Sequence, residues 1–334
     1  MTASTDFAFS LDELRAAAEV VRTVVPPTPQ HHWPTLSARL GAEVVVKHEN
    51  HAPTGAFKVR GGVVYFDELR RREPDSPGVV TATRGNHGQS IALAASRAGL
   101  RATVVVPRGN SVEKNAAMRA YGAELIEAGD DFQEARETAM AMADELGLHP
   151  IRPISRELVA GVASYALELF DDASSATGGA IDVVYVPVGM GSGICGMIAA
   201  RDALGLDTEI VGVVSAHAPA YALSFESGTV IDAPAETVLA DGMACRIPDP
   251  DALAAIRSGA SRIVSVTDDQ VADAMRTYFS DTHNVAEGAG AAPLAAATAE
   301  RDRLAGQRVA VVLSGGNVDT SIFAAVLNGL SPTG

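Results

Sequence analysis

Four short segments of the sequence place glycine, asparagine, serine or lysine where a strand ends or a helix begins. Glycine lets the backbone approach a ligand closely, and helix N-termini offer N–H donors to anions. In open parallel sheets, ligands bind beyond the carboxyl ends of the strands. The segments therefore favour ligand binding at such an edge. The segments over residues 81–90 and 311–317, each taken singly, are also explained by ordinary loops. They are KHENHAPTGAFKVRGG (47–62), TATRGNHGQS (81–90), PVGMGSGICG (187–196) and VVLSGGN (311–317).

The glycine loop after residue 187 has two functional interpretations. Its G-x-G-x-x-G spacing matches dinucleotide-binding loops, which require an acidic residue at the end of the next strand. The next predicted strand begins with Glu209 and ends with Ser215, so the acid lies at the wrong end. A phosphate cradle explains the N–H groups at this helix N-terminus better. A glycine-rich turn that allows close helix–strand packing is the alternative without a ligand.

Lys58 lies near the predicted N-terminus of a helix over residues 57–72. The helix dipole disfavours a cation at that end, so we expect a lowered pKa for this lysine. A lysine with a lowered pKa suits a nucleophile that forms a Schiff base. A surface lysine without a function is the alternative.

The order of the predicted elements favours an α/β fold. Segments such as VVYVPV and VAVVLS are continuously apolar, as is typical of parallel strands that are covered on both faces. Residues 171–180 resemble a linker or a surface loop, and residues 216–245 look irregular. Predicted strands cover 42–49, 79–83, 102–107, 124–127, 181–188, 209–215 and 308–314, and predicted helices cover 11–25, 57–72, 88–98, 113–121, 131–146, 193–204, 267–279, 288–304 and 321–330.

Composition excludes several classes of protein. The chain has 334 residues, enough for roughly two domains, and a net charge of −15, which disfavours nucleic acids and anionic membrane surfaces as partners. No apolar run approaches the ~20 residues that span a bilayer, and the N-terminus lacks the pattern of a signal peptide. Two cysteines, Cys195 and Cys245, cannot form a disulfide framework, so we expect a cytoplasmic location.

Six motifs in order resemble the fold-type II pyridoxal-phosphate enzymes, above all the threonine/serine dehydratase (ammonia-lyase) and serine racemase group. They are T-G-A-F-K-V-R-G-G, T-R-G-N-H-G-Q-S, the glycine loop, L-A-D-G-M, A-E-G-A-G-A-A and L-S-G-G-N. The resemblance implies a two-domain α/β fold of the tryptophan synthase β type, with pyridoxal 5'-phosphate between parallel-sheet domains. Residues 1–74 and 155–334 would form the large domain, and residues 75–154 a small mobile domain. It also implies a homodimer.

The resemblance assigns roles to individual residues. Lys58 would form the Schiff base with the cofactor and later act on the α-proton of the substrate, and Ser314 would meet the pyridine nitrogen. Arg136 lies in the region that supplies a substrate-closing arginine in serine racemases. The other cofactor contacts would be Phe57 at the ring, Asn86 at the 3-hydroxyl, the phosphate cradle Gly189, Met190, Gly191, Ser192 and Gly193, and Gly242 and Glu287 near the ring; the loop Thr83, Arg84, Gly85, Asn86 and His87 would receive the substrate carboxylate.

The implied chemistry is β-elimination. A neutral serine hydroxyl at the pyridine nitrogen leaves the ring a weak electron sink, so loss of a group from Cβ is favoured over a long-lived carbanion. The expected substrates are L-threonine and L-serine, each converted to a 2-keto acid and ammonia. The alternatives are a dehydratase for 3-hydroxyaspartate or phenylserine, an amino acid racemase, and a non-catalytic nucleotide-binding protein.

Three features depart from the family pattern. Arg84 stands where serine racemases carry a serine that serves the second face of the α-carbon, and an arginine stays protonated, so elimination is favoured over racemisation. Arg84 could pair with a carboxylate of the substrate or point to solvent. Residues 214–221 contain no carboxylate, so we expect no metal site after the strand over 209–215. The chain ends soon after L-S-G-G-N, so we expect no C-terminal regulatory domain.

Overall fold

A computed structural model describes residues 7–176 and 179–331, which form ten strands and thirteen α-helices. The strands are β1 (Gln30–His32), β2 (Glu43–His48), β3 (Val79–Ala82), β4 (Ala102–Val106), β5 (Glu124–Glu127), β6 (His149–Pro150), β7 (Val183–Pro187), β8 (Glu209–Ser215), β9 (Arg262–Val266) and β10 (Arg308–Leu313). The helices are α1 (Leu11–Arg22), α2 (Pro34–Leu40), α3 (Lys58–Arg72), α4 (Asn86–Ala98), α5 (Val112–Ala120), α6 (Phe132–Leu146), α7 (Arg156–Ala176), α8 (Ser192–Ala203), α9 (Ala220–Ser227), α10 (Pro250–Gly259), α11 (Asp268–Thr282), α12 (Gly288–Ala299) and α13 (Thr320–Leu327).

The larger sheet has the strand order β1-β2-β10-β7-β8-β9. Only the edge strand β1 is antiparallel to its neighbour, and the other pairs are parallel. Every residue of β10 is buried, which agrees with the continuously apolar run that follows Arg308. Because β2, β10 and β7 are parallel neighbours, the segments that follow them emerge at the same edge of the sheet.

The smaller sheet has the strand order β5-β4-β3-β6, and all of its strands are parallel. It uses residues 79–150, whereas the larger sheet uses residues 30–48 and 183–313. The α/β fold with parallel sheets predicted from the sequence is therefore confirmed. The domain boundaries at residues 74 and 155 stay a prediction.

The structure corrects several local predictions. Residues 171–176, which resemble a linker in the sequence, are the end of the long helix α7, while residues 177 and 178 lie outside the described residues. The segment 216–245 is less irregular than predicted, because α9 occupies part of it. The elements β1, α2, β6, α7, α9, α10 and β9 were not predicted. No helix among the described residues is long and apolar enough to cross a membrane.

Candidate active site

A cavity lies between the two sheets, beyond the carboxyl ends of β3, β7 and β10. We call it the central cavity. All of the candidate site residues from the sequence line it except Arg136: Phe57, Lys58, Thr83, Arg84, Gly85, Asn86, His87, Gly189, Met190, Gly191, Ser192, Gly193, Gly242, Glu287 and Ser314.

Lys58 is the first residue of α3, and its amine is directed into the central cavity. The Nζ atom donates a hydrogen bond to Ser192 Oγ at 2.8 Å and lies 4.9 Å from the centre of the Phe57 ring. Burial lowers the pKa of Lys58 to about 8. The sequence predicted a lowered pKa from the helix dipole, but the cause in the structure is the loss of solvation. No carboxylate among the described residues forms an ion pair with this amine.

The glycine loop between β7 and α8 leaves its backbone N–H groups open to the central cavity. Among the described residues, no acceptor is found for the N–H groups of Gly189 to Gly193. A Cβ at Gly189 would overlap the carbonyl oxygen of Gly242, and Gly191 has a φ of +99°, which side chains rarely adopt. Such a loop, at the N-terminus of a helix, has the donors and the shape to hold an anion.

Two buried tyrosines hold the glycine loop in position. Tyr165 donates a hydrogen bond to the carbonyl oxygen of Gly193 at 3.0 Å, and Tyr221 donates one to that of Met190 at 3.1 Å. The Tyr165 ring also contacts Phe57 edge to face, with ring centres 6.0 Å apart. The loop is therefore supported from α7 and α9, two helices that were not predicted from the sequence.

A polar cluster in the lining of the central cavity joins both sheets. Asn86 Nδ2 donates to Glu287 Oε1 at 2.6 Å and Asn86 Oδ1 accepts from Asn317 Nδ2 at 2.8 Å. Lys114 Nζ lies 2.7 Å from Asp241 Oδ2 and 3.5 Å from Glu287 Oε2. Burial raises the pKa of Glu287 to about 7, although Lys114 opposes the rise. Burial lowers the pKa of Lys114, but Asp241 and Glu287 outweigh it and raise that pKa overall.

The loop after β3 is shaped by its own threonine. Thr83 Oγ1 accepts hydrogen bonds from the backbone N–H groups of Gly85 at 3.0 Å and Gly88 at 3.3 Å. His87 is buried, and its Nε2 atom has no hydrogen-bond partner among the described residues. Burial, helped by the nearby Lys58, lowers the pKa of His87 to about 3, so its imidazole is neutral at physiological pH.

The two candidate arginines are placed differently. Arg84 lines the central cavity and is exposed, so its side chain stands where the cavity meets solvent. Arg136 lies on an exposed face of α6 and does not line the cavity. From the same helix, Phe132 reaches the cavity lining instead. The structure thus does not bring Arg136 together with the other candidate residues.

Comparisons with known proteins identify the family. The model of the pyridoxal-phosphate dependent enzyme family matches residues 21–315. The chain belongs to this family. It is 32% identical over 323 residues to the L-threonine ammonia-lyase of Thermotoga maritima, an alignment that covers 96% of this chain and 78% of that protein.

Solved structures of pyridoxal-phosphate enzymes have the same fold. A threonine deaminase from T.th. superimposes with a TM-score of 0.87 and 32% identity, over 93% of this chain and 99% of that one. The maize serine racemase superimposes with a TM-score of 0.88 and 27% identity, over 96% of this chain and 98% of that one. The chain therefore has the two-domain fold-type II architecture.

The central cavity fits pyridoxal phosphate. The unpartnered N–H groups of the glycine loop match its phosphate, and the Lys58 amine, with its lowered pKa, matches its aldehyde. Phe57 offers an apolar face beside that amine. The cofactor of this chain is therefore pyridoxal phosphate, as in the rest of the family. Among the described residues, no group of three or more His, Cys, Asp or Glu side chains could hold a metal ion.

The N-terminus of α3 is fixed by a buried network of charges. Arg60, two residues after Lys58, pairs with Glu49 and Glu168 at 2.7 Å each, and Lys47 pairs with Glu168 at 2.7 Å. Two cations face two carboxylates, so the charges of the network balance. A buried, balanced and hydrogen-bonded network tolerates little movement of its members. It therefore holds the start of α3, and with it Lys58, against β2 and α7.

Sequence reasoning missed Lys114 and Asp241 as members of the site. Asp241 lies in L-A-D-G-M, where only Gly242 was singled out. Lys114 belongs to none of the motifs, but one signal was available. The chain has only three lysines, Lys47, Lys58 and Lys114, while arginine supplies its other basic side chains. A residue type so rare in a chain deserves a functional hypothesis at each position.

Proposed function

We propose that the chain is an ammonia-lyase for a small β-hydroxy-α-amino acid, with L-threonine and L-serine as substrates. Water is eliminated first, and one water then hydrolyses the resulting imine, so that the products are a 2-keto acid and ammonia. The observation that carries the proposal is the Lys58 amine, desolvated, free of any described carboxylate and 2.8 Å from Ser192 of the glycine loop. The likeness to an L-threonine ammonia-lyase and to a threonine deaminase supports the choice of reaction.

The proposed contacts with the cofactor follow from the lining of the central cavity. Lys58 would hold pyridoxal phosphate covalently, and the N–H groups of the glycine loop would bind its phosphate. Asn86 would meet its 3-hydroxyl and Ser314 its pyridine nitrogen. Phe57, Gly242 and Glu287 would complete the surroundings of the ring. When bound, the cofactor supplies an electron-withdrawing ring that stabilises negative charge at the α-carbon of an amino acid.

The residues of this chain orient the substrate and move its proton. Lys58 Nζ would take the proton from the substrate Cα, a role that suits an amine whose pKa lies near 8. The hydroxyl of Ser192 would orient that amine. The backbone N–H groups of Asn86 and His87 would receive the α-carboxylate. A neutral hydroxyl at Ser314 favours loss of the Cβ hydroxyl over a long-lived charge at Cα.

Release of 2-keto acid by the cofactor-loaded protein tests the proposal. L-threonine, L-serine, their D-isomers and phenylserine are offered separately, and the enantiomer composition of the remaining amino acid is measured. We expect keto acid from L-threonine or L-serine and its loss in Lys58→Ala. Racemisation without keto acid would overturn the elimination and establish a racemase.

Borohydride reduction tests the covalent attachment independently of turnover. It makes the bond between amine and cofactor permanent, and peptide mass analysis then locates the modified lysine. With only three lysines in the chain, the assignment is unambiguous. We expect modification of the Lys58 peptide alone. Modification of Lys114 or Lys47 instead would contradict the assigned role of Lys58.

We further propose that the protein is a cytoplasmic homodimer. Its two cysteines, Cys195 and Cys245, are buried and free, which suits a reducing compartment. The dimer rests on the family resemblance. Light scattering on the purified holoenzyme measures the assembly, and the mass of a monomer would contradict the proposal.

A further inference from the structure

Arg84 is a cation of the central cavity for which the described residues provide no partner. Among the described residues, nothing forms a hydrogen bond or an ion pair with its side chain. The other two cations of the lining are engaged, because Lys114 faces Asp241 and Glu287, and Lys58 is reserved for the cofactor and the α-proton. An arginine that stands unpaired at the opening of a cavity, in a chain of net charge −15, is available for an anionic ligand.

The α-carboxylate of an amino acid does not need this side chain. In the loop after β3, Thr83 Oγ1 takes the N–H groups of Gly85 and Gly88. The N–H groups of Asn86 and His87, the first two residues of α4, have no acceptor among the described residues. They lie at a helix N-terminus, which favours a carboxylate. The guanidinium of the neighbouring Arg84 therefore remains available to bind a second anionic group of the substrate.

The rest of the cavity makes a second carboxylate unfavourable without Arg84. Asp241 and Glu287 both line the cavity, and Lys114 already compensates them. Without Arg84, an additional negative charge on the substrate would therefore face two acids, and the loop after β3 would offer it no cation. Arg84 reverses that balance, and its planar guanidinium can hold a carboxylate through two hydrogen bonds.

We propose that Arg84 forms a subsite for the side-chain carboxylate of the substrate, so that the enzyme prefers a β-hydroxy dicarboxylic amino acid, 3-hydroxyaspartate, over L-threonine. The inference rests on the proposed function and specifies its substrate class. The two amino acids differ only in the group on Cβ, a carboxylate in one and a methyl in the other. The subsite thus discriminates at a single position.

The chemistry balances without an added oxidant or reductant. The proton on Cα and the hydroxyl on Cβ of 3-hydroxyaspartate leave together as water, and the C–N bond becomes an imine after tautomerisation. One water then hydrolyses the imine to oxaloacetate and ammonia. The reaction is the same elimination as for threonine, with oxaloacetate in place of 2-oxobutanoate.

Binding of unreactive ligands tests the subsite without turnover. L-aspartate and L-2-aminobutyrate lack a leaving hydroxyl and differ by the same carboxylate-for-methyl exchange. Their dissociation constants are measured from the absorbance change of the bound cofactor. In Arg84→Gln, we expect L-aspartate to bind about 10- to 100-fold more weakly and L-2-aminobutyrate to bind unchanged, because charged hydrogen bonds have that strength. Arg84→Lys should give an intermediate loss.

Arg97→Gln is the matched control. Arg97 is exposed and lies in the last turn of α4, the helix that follows Arg84, roughly 15 Å along the helix axis from the loop after β3. The control removes the same charge from the far end of the helix that follows Arg84, and we expect both dissociation constants to stay unchanged. An equal loss of L-aspartate affinity in Arg97→Gln would show that the overall charge of the protein, and not a contact with Arg84, causes the loss. That result would overturn the subsite.

Turnover completes the test and separates the two proposals. We expect a higher kcat/KM for one of the diastereomers of 3-hydroxy-L-aspartate than for L-threonine, and a reversed preference in Arg84→Gln. If L-threonine is preferred and Arg84→Gln leaves the ratio unchanged, the subsite is wrong while the proposed function stands. If no hydroxy amino acid yields a keto acid but L-aspartate binding still depends on Arg84, the subsite stands and the proposed elimination fails.

Discussion

Replacing Lys114 by methionine would remove a charge that two carboxylates of the central cavity share. Methionine keeps most of the length of the side chain and loses only the cation. Lys114 and Glu287 are almost fully buried, with side chains 7% and 3% exposed, whereas Asp241 is 28% exposed. Breaking a fully buried pair costs about 3–5 kcal/mol of unfolding free energy. Because water still reaches Asp241, we expect about 2–3 kcal/mol for Lys114→Met at pH 8.5.

The loss in Lys114→Met should depend on pH through Glu287. The pKa of Glu287 is 4.5 in the unfolded chain, and burial raises it to about 7 in the folded protein. Between these pH values Glu287 holds a proton in the folded protein that it has released in the unfolded chain. Its contribution to the free energy of unfolding therefore falls as pH rises from about 4.5 to about 7 and stays constant above pH 7. Without Lys114, the pKa of Glu287 in the folded protein rises further. Each added pKa unit lowers the free energy of unfolding at high pH by about a further 1.4 kcal/mol.

Urea unfolding of the cofactor-free protein measures this difference. At pH 6, where Glu287 is protonated in both proteins, we expect Lys114→Met to lose about 1 kcal/mol through Asp241 alone. At pH 8.5 the loss should double or more, and adding Glu287→Gln should recover most of the increase. Arg101→Met, which breaks an exposed pair with Glu124, is the control and should cost less than about 1 kcal/mol at either pH. An equal loss for Lys114→Met at both pH values would refute the reasoning.

Two further predictions concern the glycine loop and the network beneath Lys58. Gly189→Ala places a methyl group against the carbonyl oxygen of Gly242, so we expect at least about tenfold weaker cofactor binding in an absorbance titration. Gly99→Ala is the control, because it strains a glycine with a positive φ but its methyl group would meet no neighbouring atom. It should leave the cofactor affinity unchanged. Arg60→Met leaves two buried carboxylates with a single cation and should lower the unfolding free energy by about 3–5 kcal/mol. A loss below about 1 kcal/mol in urea unfolding would contradict the structural role of this network.

The sequence was informative where function imposes a local requirement on the backbone. The glycine loop needs close approach and, at Gly191, a positive φ, so its residue types are restricted and visible in the sequence. The continuously apolar strands β7 and β10 were found for the same reason, because burial on both faces restricts each residue. The start of α3 at Lys58 follows from the motif around it. These features account for the fold class and for most of the cavity lining.

The features that were missed depend on contacts between distant parts of the chain. Lys114 and Asp241 are 127 residues apart, and nothing in the sequence near either one shows that they pair. Helix α7 continues to Ala176 through a segment whose sequence resembles a linker, and the helix as a whole packs against α3 and α8. Arg60 is fully buried, although a sequence pattern places an arginine on the surface. Tertiary context overrides local preference in each case.

The surroundings of the two lysines in the central cavity favour Lys58 as the proposed nucleophile. Lys58 and Lys114 line the same cavity and are both desolvated, yet their pKa values move in opposite directions. Lys114 faces Asp241 and Glu287, whose charges outweigh the effect of burial and keep the amine protonated. The Lys58 amine donates to the Ser192 hydroxyl and pairs with no carboxylate of the described residues, so burial lowers its pKa to about 8 and a substantial fraction of the amine is neutral near that pH. Only a neutral amine can attack an aldehyde, so the pairing of Asp241 and Glu287 with Lys114 favours Lys58 as the lysine that would bind the cofactor.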